Sequence, residues 1–229
     1  MADDAPARTS AALPATGLAA LTLGSLLMGL LHLLPVTSAD VDPVRRTISE
    51  YALGPGKLLF DLAVLLVAAG SAAVFLALVR HGRVRALSAT TIFGSAWALG
   101  LLVIVVFPKT DWSIGPSLGG TIHRYASVVA FVCLPLAVLA AARAAYPRSP
   151  NLRLLARVLG VTSLAWFGLI IGAVLVMLAG GEPWWRAIPL GLVERFLALN
   201  EVLAIAALVP GLIRVRAPAA ATAGPLVPS

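Results

Sequence analysis

The sequence predicts an all-α fold, a polytopic transmembrane bundle of six helices with both termini cytoplasmic, and three observations predict it. Of 229 residues, 60% are hydrophobic and only 12% charged, with a mean hydropathy of +0.97, far from the balance of a soluble domain. Apolar runs long enough to cross a bilayer, about 20 residues each, recur six times along the chain. The basic residues then gather in alternate connections between those runs, the asymmetry that orients membrane helices.

The first run is Leu18 to Val36, preceded by residues 1–17, which are expected to form a disordered cytoplasmic end. It is followed by "TSAD", with small residues Thr37 and Ala39, so a cleaved secretory signal is the competing reading. Asp3 and Asp4 beside a single Arg8 give the wrong charge for a signal, and the run is too long for a signal core, which favours an uncleaved helix. The other runs are Leu58 to Val79, Leu87 to Phe107, Ile122 to Ala142, Leu154 to Ala179 and Leu190 to Ile213. Residues 18–213 are thus one transmembrane domain, and the low-complexity tail 214–229, "APAAATAGPLVPS" at its end, is expected to be disordered and cytoplasmic.

With the N-terminus inside, the inner segments hold Arg8, Arg80, Arg83, Arg85, Arg143, Arg148, Arg153, Arg157, Arg214 and Arg216, ten of the seventeen basic residues. This set accounts for the net charge of +7 without nucleic acid, and nucleic-acid binding is set aside. The acids are distributed the other way. Asp40, Asp42, Glu50, Asp61, Asp111, Glu182, Glu194 and Glu201 all fall in outer connections or outward halves of helices. Acidic residues contribute little to topology, so the outer half is the functional half.

The first outer connection, "DVDPVRRTISEYALGPGKLLFD", carries a helix signal: Asp42 as N-cap, Pro43 at the first helical position and Gly54-Pro55 as a stop. A short amphipathic helix is therefore expected over Val44 to Leu53, lying across the outer mouth, with Arg46 and Glu50 spaced to pair. In the second outer connection Pro108 ends the third helix, Trp112 suits the interface, and Gly115-Pro116 and Gly119-Gly120 punctuate a loop that delivers His123 and Arg124. The third, "GGEPWWRAIPLGLVER", contributes Trp184 and Trp185 as interfacial anchors.

"DPVRRTISEYALGPGKLLFD", "FPKTDW" with "GTIHRYASVVAF", and "GLVERFLALNE" together resemble the bacterial six-helix membrane proteins grouped as domain of unknown function 998, over roughly Leu18 to Ile213. The resemblance implies a six-helix bundle in the bacterial plasma membrane with a polar cluster toward the outer face, and no reaction. It carries over Ser49, Glu50, Asp111, His123, Glu194 and Arg195 as motif positions without roles.

Glu194 and Glu201 are seven residues apart, two turns, and share a helical face. Placing charge in hydrocarbon costs on the order of 3 kcal/mol or more per group, so that face is expected to look inward. An outward-facing pocket lined by His32, Ser49, Glu50, Asp61, Asp111, His123, Arg124, Glu194, Arg195, Asn200 and Glu201 would satisfy these groups together. Its leading reading is a binding site for a small or lipidic ligand. The alternative is a membrane-embedded enzyme acting on a lipid or isoprenoid, with Glu201, Glu194 and His123 as the acid-base candidates. Metal is the weaker chemistry: His32, His123 and Asp61 are conceivable ligands, yet no two histidines share a helix at ligand spacing. A small transporter with ion pairs such as Glu194 with Arg124 comes third, since no inverted repeat is visible. Ion pairing that only specifies helix packing accounts for the same charges. No cofactor is named by the sequence, and monomer and homodimer stay open.

"GPGK" at Gly54 to Lys57 lacks the frame of a phosphate loop, and Cys133, the only cysteine, lies inside a span. Gly168 and Gly172 are expected to let the fifth helix pack closely within the bundle rather than to form a dimer face.

Overall fold

The computed structural model describes residues 11–39 and 41–213. The expectations concerning residues 1–10, Asp40 and 214–229, including disordered ends and the cations Arg8, Arg214 and Arg216, lie outside them. Among the described residues there is no strand, and six helices are long and apolar enough to span a membrane: the chain is a multi-pass membrane protein.

The helices are α1 (Ala12–Leu33), α2 (Lys57–Arg80), α3 (Ala89–Val106), α4 (Leu118–Ala145), α5 (Pro150–Leu178) and α6 (Leu190–Ala206). They run up and down, each packed mainly on its neighbour in sequence, and the ring closes only thinly between α6 and α1. Connections 34–56, 107–117 and 179–189 therefore share one end, which we call the lid end.

Small residues set the tightest seam. A Cβ on Gly70 would lie 2.7 Å from the Gly17 carbonyl oxygen, so α1 and α2 touch backbone to backbone. Gly168 and Gly172 do not pack inside the bundle: an added Cβ at either meets nothing within 4 Å, because α5 turns that stripe outward. The apolar interior is made by side chains such as Leu21, Leu78, Leu134, Leu197, Ile205 and Leu208, all at most 1% exposed. Buried polar groups are tied locally, as where Trp97 Nε1 donates to Ser71 Oγ at 3.0 Å between α3 and α2.

Several boundaries depart from expectation. α1 begins at Ala12, inside the stretch expected to be disordered. α4 begins at Leu118, capped by Ser117 Oγ accepting from the Gly120 amide at 3.0 Å, so Gly119-Gly120 belong to its first turn rather than to the loop. The reason is a close approach: a Cβ on Gly120 would collide with Thr110. α6 stops at Ala206, ahead of Pro210, and after a turn the chain resumes as the short helix Pro210–Ile213. There the Tyr146 hydroxyl donates to the Ala207 carbonyl.

The first lid-end connection is the main difference. A continuous helix over Val44 to Leu53 does not form; the chain makes turns and then a 3₁₀ helix over Ile48–Leu53. Asp42 does cap, but it caps a turn, with Oδ1 accepting from the Val44 amide at 2.8 Å and its carbonyl accepting from the Arg46 amide at 2.8 Å. The carbonyls that an α-helix would need are spent on α6 instead. Val44 O accepts the Gly191 and Leu192 amides at 3.0 and 3.3 Å, two donors orphaned at the start of α6.

Candidate functional site

The lid end is assembled around the first two turns of α6. Gly191 lets the first connection sit directly on that helix, since a Cβ there would collide with the Arg46 carbonyl and lie 2.6 Å from the Pro43 carbonyl. Glu194 Oε2 accepts from the Ile48 amide at 2.8 Å. Val44 O, occupied by α6, is therefore not missed as the helical partner of that amide. Ile48, Tyr51 and Ala52 are buried at 8%, 2% and 4% exposure, so the 3₁₀ segment is packed into the bundle mouth as a lid.

Arg195 joins three elements. Its Nε donates to His32 Nε2 at 2.7 Å, and its Nη1 donates to the Arg46 carbonyl at 2.7 Å and the Gly191 carbonyl at 2.9 Å. His32 Nδ1 in turn donates to the Met28 carbonyl at 2.9 Å, which assigns the proton to Nδ1 and leaves the Nε2 lone pair for the arginine. The Tyr51 ring meets the His32 ring edge-on at 5.2 Å, carrying the lid onto α1. Arg195 Nη2 is buried, and among the described residues it has no hydrogen-bond partner and no carboxylate lies within salt-bridge distance of this guanidinium.

A second clamp holds the lid from the other side. Lys109 Nζ pairs with Glu50 and donates to Thr47 Oγ1 at 3.0 Å, while Arg46 pairs with Glu50 at 3.7 Å, as the four-residue spacing predicts. Ser49 Oγ lies 3.2 Å from Thr47 Oγ1 in the same group. Lys109 is the residue that sequence reasoning missed. Its only signal is a lone cation directly after the proline that ends α3.

Deeper in α6 the surroundings change. Glu201 is 0% exposed, and among the described residues neither carboxyl oxygen has a hydrogen-bond partner. It lies two turns, about 10 Å along the helix axis, beneath Glu194. A buried carboxyl without a partner is costly, on the order of several kcal/mol if ionised. Among the described residues no hydrogen-bond donor offsets that cost.

The other expected site residues go elsewhere. Asn200 Nδ2 donates to the Leu159 carbonyl and to Ser163 Oγ, each at 2.7 Å, clasping α6 to α5. Asp61 accepts from Lys57 Nζ at 2.6 Å, one turn apart on α2. His123 Nδ1 donates to the Phe107 carbonyl at 2.8 Å, closing the turn between α3 and α4. Arg124 does not reach Glu194; its guanidinium stands 5.9 Å from the Trp112 ring centroid. Asp111 Oδ1 accepts from Ser113 Oγ at 2.6 Å and from the Ser113 amide at 2.9 Å, bonds that hold this exposed carboxyl below its ordinary range. Thus His32, Ser49, Glu50, Glu194 and Arg195 are brought together at the lid, Glu201 lies below them, and Asp61, Asp111, His123, Arg124 and Asn200 are apart. His32, His123 and Asp61 have separate partners, and among the described residues no three of His, Cys, Asp and Glu are grouped to hold a metal ion.

No curated protein and no solved structure matches the chain. A family model described as "Protein of unknown function (DUF998)" matches residues 18–211, which takes in most of α1, all of α2 to α6, the lid and both α6 carboxylates. By that match, the chain belongs to the DUF998 family.

Proposed function

We propose that the protein binds a small ligand in the outward half of the bundle, beneath the lid, and that Glu201 is the group the ligand meets. The observation that carries this reading is the isolation of Glu201: a carboxyl fully buried in a transmembrane helix, with both oxygens unpartnered. Intramembrane ionisable groups are expensive and mark binding or transport paths. A carboxyl complements a cation or a hydrogen-bond donor, so the ligand carries one.

The route in is through the lid. Segment 41–53 is held by backbone bonds to Glu194, Arg195 and the start of α6, and by Lys109 on Glu50. These are polar contacts at the membrane surface, where water competes for them once one is broken. The enzyme reading has less support, because its acid-base candidates Glu201, Glu194 and His123 are not brought together: Glu194 is bonded to the lid, Glu201 lies below it, and His123 closes the turn between α3 and α4. The arginines of the opposite connections support placing the lid on the outer face, in the bacterial plasma membrane that the family resemblance implies.

The test is native mass spectrometry of protein released from lipid nanodiscs. The wild type is expected to carry a defined small molecule that Glu201→Gln, which keeps the shape and removes the ionisable group, lacks. A wild type with no bound molecule, together with unchanged folding of the variant, would contradict the reading.

A further inference from the structure

The seam between α1 and α6, thinner than any seam between helices adjacent in sequence, holds a groove of about 240 Å³ that opens sideways toward lipid. Its walls are two helical stripes. On α1, Leu18, Thr22 and Leu26 contribute; on α6, Leu199, Val202 and Ala206 contribute. The one further hydroxyl on the α1 wall, Ser25 Oγ, donates to the Leu21 carbonyl at 2.9 Å, so the groove surface is apolar in its chemistry.

Both stripes lead to the same place at the lid end. Counting by threes and fours along α1 from Leu18 gives Thr22, Ser25, Gly29 and His32; along α6 from Ala206 it gives Val202, Leu199 and Arg195. His32 and Arg195 are the pair bonded at 2.7 Å. Continued about one to two turns beyond the groove's last lining residues, Leu26 and Leu199, the two stripes reach a guanidinium whose Nη2 is buried and, among the described residues, has neither a hydrogen-bond partner nor a carboxylate within salt-bridge distance. At exposed Gly29 an added Cβ would meet nothing within 4 Å, so no side chain closes the surface between the groove and the His32–Arg195 clasp at that position. The exposed Arg46, whose carbonyl touches that guanidinium, and the neighbouring Arg45 add positive charge at the mouth.

We infer that this seam binds an anionic amphiphile from the membrane, a phosphate ester with its hydrocarbon chain along the groove and its phosphate against Arg195. Charge complementarity selects the headgroup: guanidinium N–H groups are strong donors to phosphate oxygens, and those of Arg195 Nη2 have no other acceptor among the described residues. The groove selects a chain, since it offers hydrocarbon contact along about two turns of each helix. This site faces lipid on a different side of α6 from Glu201, so either inference can fail while the other stands.

Thermal unfolding of the full chain in dodecyl maltoside micelles tests it, with four additives: lysophosphatidic acid, the monoacylglycerol of the same chain, lysophosphatidylcholine and inorganic phosphate. Lysophosphatidic acid is expected to raise the midpoint well above the other three. Val202→Trp, which fills the groove and leaves every Arg195 contact in place, is expected to abolish the rise; Gly29→Leu is the second filler should Val202→Trp not fold. Arg195→Lys is expected to weaken the effect by about tenfold in lipid concentration, the loss of one charge-assisted hydrogen bond. Equal stabilisation by the monoacylglycerol or by lysophosphatidylcholine would overturn the headgroup assignment. A rise with inorganic phosphate alone would make the site one for free anions, and a rise undiminished in a folded filler variant would place the lipid elsewhere; either overturns the inference.

Discussion

Glu201 separates stability from function at a single position. Replacing it with leucine removes an unpartnered polar group from the interior at similar volume, so Glu201→Leu is expected to stabilise the fold by about 1–3 kcal/mol, read by denaturation in detergent. A loss of stability would instead reveal a partner that the carboxyl serves. Trp97→Phe goes the other way, giving up one buried hydrogen bond to Ser71 at a cost of about 1 kcal/mol. Asp111 offers the clean titration. Its folded pKa is depressed by Ser113, so the Asp111–Ser113 turn is favoured above the ordinary carboxylate range and is lost as pH falls through the depressed value. Carboxyl NMR should find it titrating low, with Ser113→Ala returning it toward normal. Periodicity made Glu194 and Glu201 legible as one inward face. It does not say which element arrives opposite each residue, and so the expected Arg124–Glu194 pair does not form and Arg124 stands beside Trp112 instead.

The lid shows why an element's type can be misread when its ends are read well. Asp42-Pro43 and Gly54-Pro55 do bracket the segment, and Arg46 does pair with Glu50. What the sequence could not show is the competition for carbonyls: once Val44 O and Arg46 O serve α6, the amides of Ile48 and Glu50 turn to Glu194 and to Thr47 O. A helix over 44–53 would need those same carbonyls. Glu194→Ala is accordingly expected to cost about 1–3 kcal/mol by leaving the Ile48 amide unpaired, and to raise hydrogen exchange across 41–53 before the rest of the bundle. Gly191→Ala should loosen the same segment through overpacking, at about 1–3 kcal/mol. If exchange in the lid is unchanged in both variants, the clamp is not what seats it.

At the scale of the whole molecule, hydropathy makes the six spans legible because each helix must satisfy its backbone internally and turn apolar residues to lipid. The partnership of spans is less legible. The α1–α2 seam rests on Gly17 and Gly70 and not on the more conspicuous Gly168 and Gly172, because small residues permit close approach without specifying which helix approaches. Orientation rests on the arginines of connections 81–88 and 146–149. In a Cys133→Ser background, Ser113→Cys is expected to react with an impermeant thiol reagent on intact cells, and Ser88→Cys only after lysis. The reverse pattern would invert the bundle.

The most direct test of the account is the reach of water to Glu201 from the lid end. Glu201→Cys in the Cys133→Ser background would be exposed to a small charged methanethiosulfonate from outside, with and without Glu194→Ala. The account expects slow labelling with the clamp intact and labelling at least about tenfold faster once it is broken, the change expected when opening becomes easier by about 1.4 kcal/mol. Labelling that ignores the clamp, or that comes only from the opposite face, would contradict a ligand site beneath the lid.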